Sequence, residues 1–272
     1  MTRFLALALL LFSSCLNAAI QEKTVDYQAG DTKFKGYLAW DDAITGKRPG
    51  VLVVHEWWGL NDYAKRRARM LAELGYTAMA VDMYGDGKNT EHPAEAKSWM
   101  QAVLDGAGLA KQRFLAAKAV LEQQPTVDAG KIAAIGYCFG GSTVLDMARQ
   151  GVDLAAVASF HGNLVTQTPA SKGAVKARML VLNGADDGFV TPESIAAFKK
   201  EMESAGVRYR FVNYPGAKHG FTNPDADRLG QAANLPIAYH AETDRNSWET
   251  MKALFREVLA KPGRQRPAKP RI

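Results

Sequence analysis

The chain has 272 residues, 47% of them hydrophobic, and a formal net charge of +6. Five positive residues sit at its ends, Arg3 near the start and Arg264, Arg266, Lys269 and Arg271 in a Pro-containing tail. Without them the body from Ile20 to Lys261 is close to neutral. That distribution gives no basis for a nucleic-acid-binding face, and a body of about 250 residues suits one large domain with a sizeable core.

Residues 1–19 read as a secretory signal. Arg3 precedes a nine-residue apolar run from Phe4 to Phe12, followed by small and polar residues to Ala18-Ala19. The run is too short to span a bilayer. Lipidation at Cys15 is the rival reading, though Phe12 stands where such signals usually carry Leu. Cleavage after Ala18 or Ala19 leaves Cys138 as the one cysteine, so no internal disulfide can form in a secreted or periplasmic protein.

The alternating pattern over 24–40, around Gly30-Asp31, predicts a hairpin at a sheet edge. Pro49-Gly50 introduces Val51-Leu52-Val53-Val54, an apolar run of the kind found in parallel strands covered on both faces, and His55-Glu56-Trp57-Trp58-Gly59 follows. Asp62 is expected to cap a helix with Tyr63, Met70, Leu71 and Leu74 on one face, closed by Gly75. A strand over 76–81 ends in Asp82-Met83-Tyr84-Gly85; a polar loop and helices over 93–104 and 109–124 come next. Ile132-Ala133-Ala134-Ile135 reads as a buried strand, and residues 142–150 as a helix packed on a sheet. Further strands are predicted over 154–160, 178–182 and 209–214. Thr191 and Pro192 start a helix, and a last helix carries Trp248, Met251, Phe255 and Val258 on one face. Residues 262–272 are expected to be a disordered tail. Strands alternating with helices define an α/β fold, a mainly parallel central sheet with helices on both faces, in one domain over 20–261.

In such a sheet the working groups lie beyond the carboxyl ends of the strands. One strand end gives Gly136-Tyr137-Cys138-Phe139-Gly140-Gly141, where Cys138 occupies the reactive position of a nucleophile elbow with small residues two places to either side. The amino end of the following helix favours a thiolate and can hold an oxyanion. A second strand end runs into Gly184-Ala185-Asp186-Asp187-Gly188-Phe189-Val190, and a third into Pro215-Gly216-Ala217-Lys218-His219-Gly220-Phe221. Nucleophile, acid and histidine thus follow in the chain order of an α/β-hydrolase triad. His219 can take the thiol proton while a carboxylate behind it fixes the tautomer. Asp186 and Asp187 compete for that place; Asp187 is the member set in Gly184-x-x-Asp187-x-x-Val190. His92 and His240 read as surface or helix-start residues, whereas His161, just after a strand, is as fit for a pocket as for the core.

His55-Glu56-Trp57-Trp58-Gly59, Asp82-Met83-Tyr84, the Cys138 elbow, the Asp187 loop and His219-Gly220-Phe221, taken together and in order, resemble the dienelactone hydrolase family of α/β-hydrolases from about Thr24 to Leu259. The resemblance implies a Cys138, Asp187 and His219 triad hydrolysing small esters or lactones. It also implies that Glu56 contacts the resting thiol and helps to deprotonate it once substrate is bound. Phe139 and Trp57 are the candidate donors of an oxyanion hole, and Tyr84, Trp58, Tyr137 and His161 the candidates for a substrate pocket. The family's namesake holds an anionic lactone with arginines; here Asn223 stands four residues after His219, and Asp86-Gly87-Lys88 follows Tyr84. The resemblance therefore implies an esterase or lactonase without committing it to an anionic dienelactone. No metal or dinucleotide cofactor is expected, since neither ligand spacing nor a Gly-x-Gly-x-x-Gly turn is found. The partner is a small molecule, with monomer and homodimer both open. A non-catalytic binder of the same fold is the alternative, while a redox role lacks a second nearby cysteine.

Overall fold

The computed structural model describes residues 20–106 and 108–260. The predicted signal (1–19) and tail (262–272) lie outside the described residues.

In chain order the elements are β1 (Ile20–Ala29), β2 (Thr32–Asp41), β3 (Arg48–Val54), α1 (Asp62–Glu73), β4 (Thr77–Val81), α2 (Pro93–Asp105), α3 (Leu109–Glu122), β5 (Val127–Tyr137), α4 (Phe139–Arg149), β6 (Ala156–Phe160), β7 (Arg178–Gly184), α5 (Pro192–Ser204), β8 (Tyr209–Tyr214), α6 (Ala226–Ala233) and α7 (Ala241–Leu259). The strands form one sheet in the order β1-β2-β4-β3-β5-β6-β7-β8. β1 and β2 pair antiparallel across the two-residue turn at Gly30-Asp31, and β2 meets β4 antiparallel. From β4 to β8 every neighbouring pair is parallel.

Alternation along the buried strands sends successive side chains to two separate cores. Leu52, Val54, Ile132 and Ala134 face a core closed by Phe114 of α3, Val144 and Leu145 of α4, and Phe198 and Met202 of α5. Val51, Val53, Ala133 and Ile135 face the other, closed by Leu71 of α1 and by Met251 and Phe255 of α7. Each fully buried Leu or Phe in these layers stabilises the fold by about 2 kcal/mol over its exposed state.

Several predicted boundaries move. Asn61, not Asp62, caps α1: its side chain accepts from the Ala64 N–H, and Asp62 is the first helical residue. Leu74 leaves the predicted apolar face and is 39% exposed, because the helix ends at that residue. β5 starts at Val127 rather than at Ile132, since Arg48 and Pro49 of β3 pair with Val127 and Asp128 before the register shifts. α6 was not predicted.

Candidate active site

Five adjacent strands, β3, β5, β6, β7 and β8, present their carboxyl ends side by side, and each delivers one group to the same place. Cys138 follows β5 with φ 53° and ψ −116°, and caps α4. The turn tolerates no side chain at its flanks. A Cβ on Gly136 would lie 2.0 Å from the Gly140 carbonyl oxygen, and one on Gly140 would lie 2.2 Å from the Val54 carbonyl oxygen. The strain holds the thiol half-buried above the sheet, at the amino end of α4, where Phe139 begins the helix and its N–H has no intrahelical acceptor.

His219 follows β8. Its Nδ1 lies 2.9 Å from Oδ2 of Asp187, which follows β7 and has a fully buried carboxylate. Oδ1 of Asp187 accepts from the Phe189 N–H, which fixes the carboxylate plane. Asp186 is exposed. On its other side the imidazole shares the cavity with Cys138 and feels its charge. Burial alone would push the imidazole down, but the charge of Cys138, then the bonds to Asp187 and Cys138, raise it to about 10. Phe189 and His161 both pack edge-on against His219, at centroid distances of 5.0 and 5.1 Å.

Glu56, just after β3, is buried, and its Oε2 accepts from Asn223 Nδ2 at 2.6 Å. The Oδ1 of Asn223 accepts from the Asp225 N–H, so the amide orientation is set from both ends. Burial, partly offset by the Asn223 bond, pushes Glu56 up to about 7. Its hydrogen bond thus goes to Asn223.

A cavity of about 310 Å³ opens above Cys138 and His219. Trp57, Trp58, Met100, Leu235 and Ile237 form most of its apolar surface, with Leu104 and Phe189 at its exposed edge. Ser142 and Asn163 are polar lining residues that the sequence did not single out. Among the described residues lining it, none is Lys or Arg; Lys88 is exposed elsewhere.

Three of the predicted pocket residues do not line this cavity. Tyr137 precedes Cys138, so alternation turns its ring to the opposite face, where it is fully buried against Phe160 and Tyr63. Tyr84 lies beneath the site, and its hydroxyl donates to the Trp57 carbonyl at 2.9 Å, pinning the peptide that precedes Trp58. His161 is fully buried behind His219. Trp58 and Trp57 do line the cavity. His92 and His240 stand at the starts of α2 and α7.

A parallel sheet with helices on both faces, a strained strand-to-helix turn, and acid and histidine loops after the next strands define an α/β-hydrolase fold. The dienelactone hydrolase family model matches residues 34–259, and the chain belongs to that family. By class it is a carboxylic-ester hydrolase. It is similar to the solved structure of m3DLH, with 40% identity and a TM-score of 0.84 over 89% of this chain and 100% of that one. It is also similar to a dienelactone hydrolase-like promiscuous phosphotriesterase, P91, from metagenomic libraries, with 38% identity and a TM-score of 0.83 over 90% and 100%. A Salmonella typhimurium protein named "Putative carboxymethylenebutenolidase" is 26% identical over 239 residues, 84% of each chain.

Proposed function

We propose that the protein is an exported hydrolase of small, neutral, apolar esters or lactones that uses Cys138 as nucleophile. The observation that carries the reading is the line of Asp187, His219 and Cys138 at the floor of an apolar cavity. The Cys138 thiolate attacks the acyl carbon, forming a C–S bond. The carbonyl electrons move onto oxygen, for which the N–H groups of Phe139 and Trp57 are the candidate donors. As the tetrahedral adduct collapses, the C–O bond breaks and imidazolium His219 gives its proton to the leaving oxygen. Water then attacks the thioester while His219 takes its proton, releasing acid and thiol. Glu56, buried near neutrality beside the pair, is the second proton acceptor for a resting thiol.

Neutral substrates follow from the lining. An anionic substrate would meet Glu56 with no lining Lys or Arg among the described residues to pair with it, and an unpaired charge in an apolar site is strongly disfavoured. Export rests on the 1–19 pattern, and mass spectrometry of the mature protein is expected to show a start at Ala19 or Ile20.

The test of the chemistry is Cys138→Ala against a panel of neutral p-nitrophenyl esters and lactones. Loss of at least about 10³-fold in kcat is expected. Wild-type turnover by the variant would remove Cys138 as nucleophile, and binding without turnover by the native protein would make it a non-catalytic binder.

A further inference from the structure

His161 belongs to neither the predicted triad nor the cavity wall, yet it is fully buried and carries φ +41°, a conformation strained for a residue other than Gly. It is the first residue beyond β6, and its own N–H is held by the Leu182 carbonyl of β7 at 2.9 Å. Besides its edge-on packing against His219, the ring makes two hydrogen bonds. Nδ1 accepts from the Cys138 N–H at 3.1 Å, an amide shared with the Phe160 carbonyl at 3.0 Å. Nε2 lies 2.7 Å from Oγ1 of Thr222, three residues past His219 on the same loop. A ring nitrogen facing an N–H must present its lone pair, so the proton sits on Nε2 and points at Thr222. Burial, then the positive charges of His219 and Arg67, push His161 well below the usual imidazole range, in keeping with a permanently neutral ring.

Thr222 is in turn fixed from behind. Its hydroxyl lies 2.6 Å from the Tyr63 hydroxyl, and Arg67 donates to its carbonyl at 2.6 Å. The same guanidinium holds Asp244 of α7 at 2.6 Å. One imidazole therefore bridges the loop that carries the thiol and the loop that carries the base, and the bridge is anchored to α1 and α7.

We propose that His161 is a positioning residue, a neutral strut between the Cys138 amide and Thr222 that sets the separation of the thiol from His219. The proposal rests on Cys138 and His219 being the reacting pair. A strut of this kind acts on the chemical step rather than on substrate binding, because it touches the two reacting loops and not the cavity.

The test compares the native protein with Thr222→Val, Thr222→Ser and His161→Phe. Steady-state hydrolysis of a neutral p-nitrophenyl ester and the rate of Cys138 alkylation by iodoacetamide across pH 5 to 10 are measured, and thermal melting shows which variants are folded. Thr222→Val is expected to lower kcat by about tenfold or more with KM changed less than about twofold. It also moves the alkylation profile toward higher pH. Thr222→Ser, which keeps the hydroxyl, returns both to within about twofold of native. His161→Phe, which fills the space without a polar atom, loses at least as much as Thr222→Val; if it does not fold, the Thr222 pair decides. Native kcat and alkylation in folded Thr222→Val would overturn the proposal. So would equal losses in Thr222→Val and Thr222→Ser, which would mark a packing effect. Alkylation reports the thiol–imidazole geometry even if the esters prove not to be substrates, so failure of the proposed activity is seen separately from failure of the strut.

Discussion

The two walls of the cavity are built by opposite means. The reactive wall is made of strand ends, and its polar groups are tied down by buried residues behind it: His219 by Asp187, Glu56 by Asn223, and the Cys138 amide by His161, itself held by Thr222. The facing wall, from Trp57, Trp58, Met100 and Leu104 to Leu235 and Ile237, is apolar, and Leu104 and Phe189 are 52% and 47% exposed at its edge. Directional bonds between parts of the chain far apart in sequence fix the chemistry. Non-directional apolar contact selects what enters. Changes in the first wall are expected to alter rate, and changes in the second to alter preference.

The largest break in that contrast is Asp187→Asn, which removes the carboxylate that fixes the His219 tautomer. A loss of about 10² to 10⁴ in kcat is expected, with little change in KM. The same variant has a pH signature. His219, raised to about 10 in the free enzyme, stays protonated and able to serve the leaving group up to that region, so native kcat/KM falls only as pH rises through about 10. Without Asp187 the fall comes at lower pH. Profiles of kcat/KM between pH 7 and 11 measure both.

Glu56 sits where the walls meet, and its effect is read in stability. Burial holds its folded-state value near 7, above the ordinary 4.5 of the unfolded chain. A raised carboxyl means the folded form binds the proton more tightly, so stability is fully present below about 4.5 and is lost as pH rises from there through 7. Glu56→Gln keeps an acceptor for Asn223 without the charge. It is expected to stabilise the protein by about 3 kcal/mol at pH 8 and by less than about 1 kcal/mol at pH 5, read from denaturant unfolding. Equal gains at both values would mean that burial does not shift this carboxyl.

The facing wall gives the smallest effect. Leu104→Arg places a cation at an exposed edge where folding does not depend on the side chain. The ratio of kcat/KM for an anionic ester over its neutral analogue is expected to rise about tenfold, with kcat on the neutral ester little changed. An unchanged ratio would show that charge at the edge does not govern entry.

The reactive wall was legible wherever the chemistry demands a local pattern. Glycine is required at 136 and 140 because the elbow leaves no room for a Cβ, and the strand-then-acid and strand-then-histidine order follows from parallel topology. In the sequence Asp187 differs from Asp186 by its place in Gly184-x-x-Asp187-x-x-Val190, and the structure buries Asp187 while Asp186 is exposed. The bracing was not legible. Thr222 meets His161 and Tyr63 across 61 and 159 positions, and Asn223 meets Glu56 across 167; no local periodicity encodes a buried polar contact of that span. Asn223 was noticed only as the residue standing where an arginine was expected. Tyr137 was misplaced in the pocket for a simple reason. Proximity to Cys138 in sequence was read as proximity in space, while strand alternation turns the two side chains to opposite faces. The cap falls on Asn61 and not on Asp62; both are good capping types, and only geometry separates adjacent ones. Helix α6 is eight residues of mixed polarity, too short to stand out by periodicity.

The most direct test of the account is to quench the native protein during turnover of a slowly hydrolysed neutral ester and find the acyl group by peptide mass spectrometry. An acyl mass added to the peptide containing Cys138, growing in during the pre-steady state and absent from Cys138→Ala, is the predicted result. Sustained hydrolysis with the adduct on another residue, or with none under conditions that preserve thioesters, would contradict it.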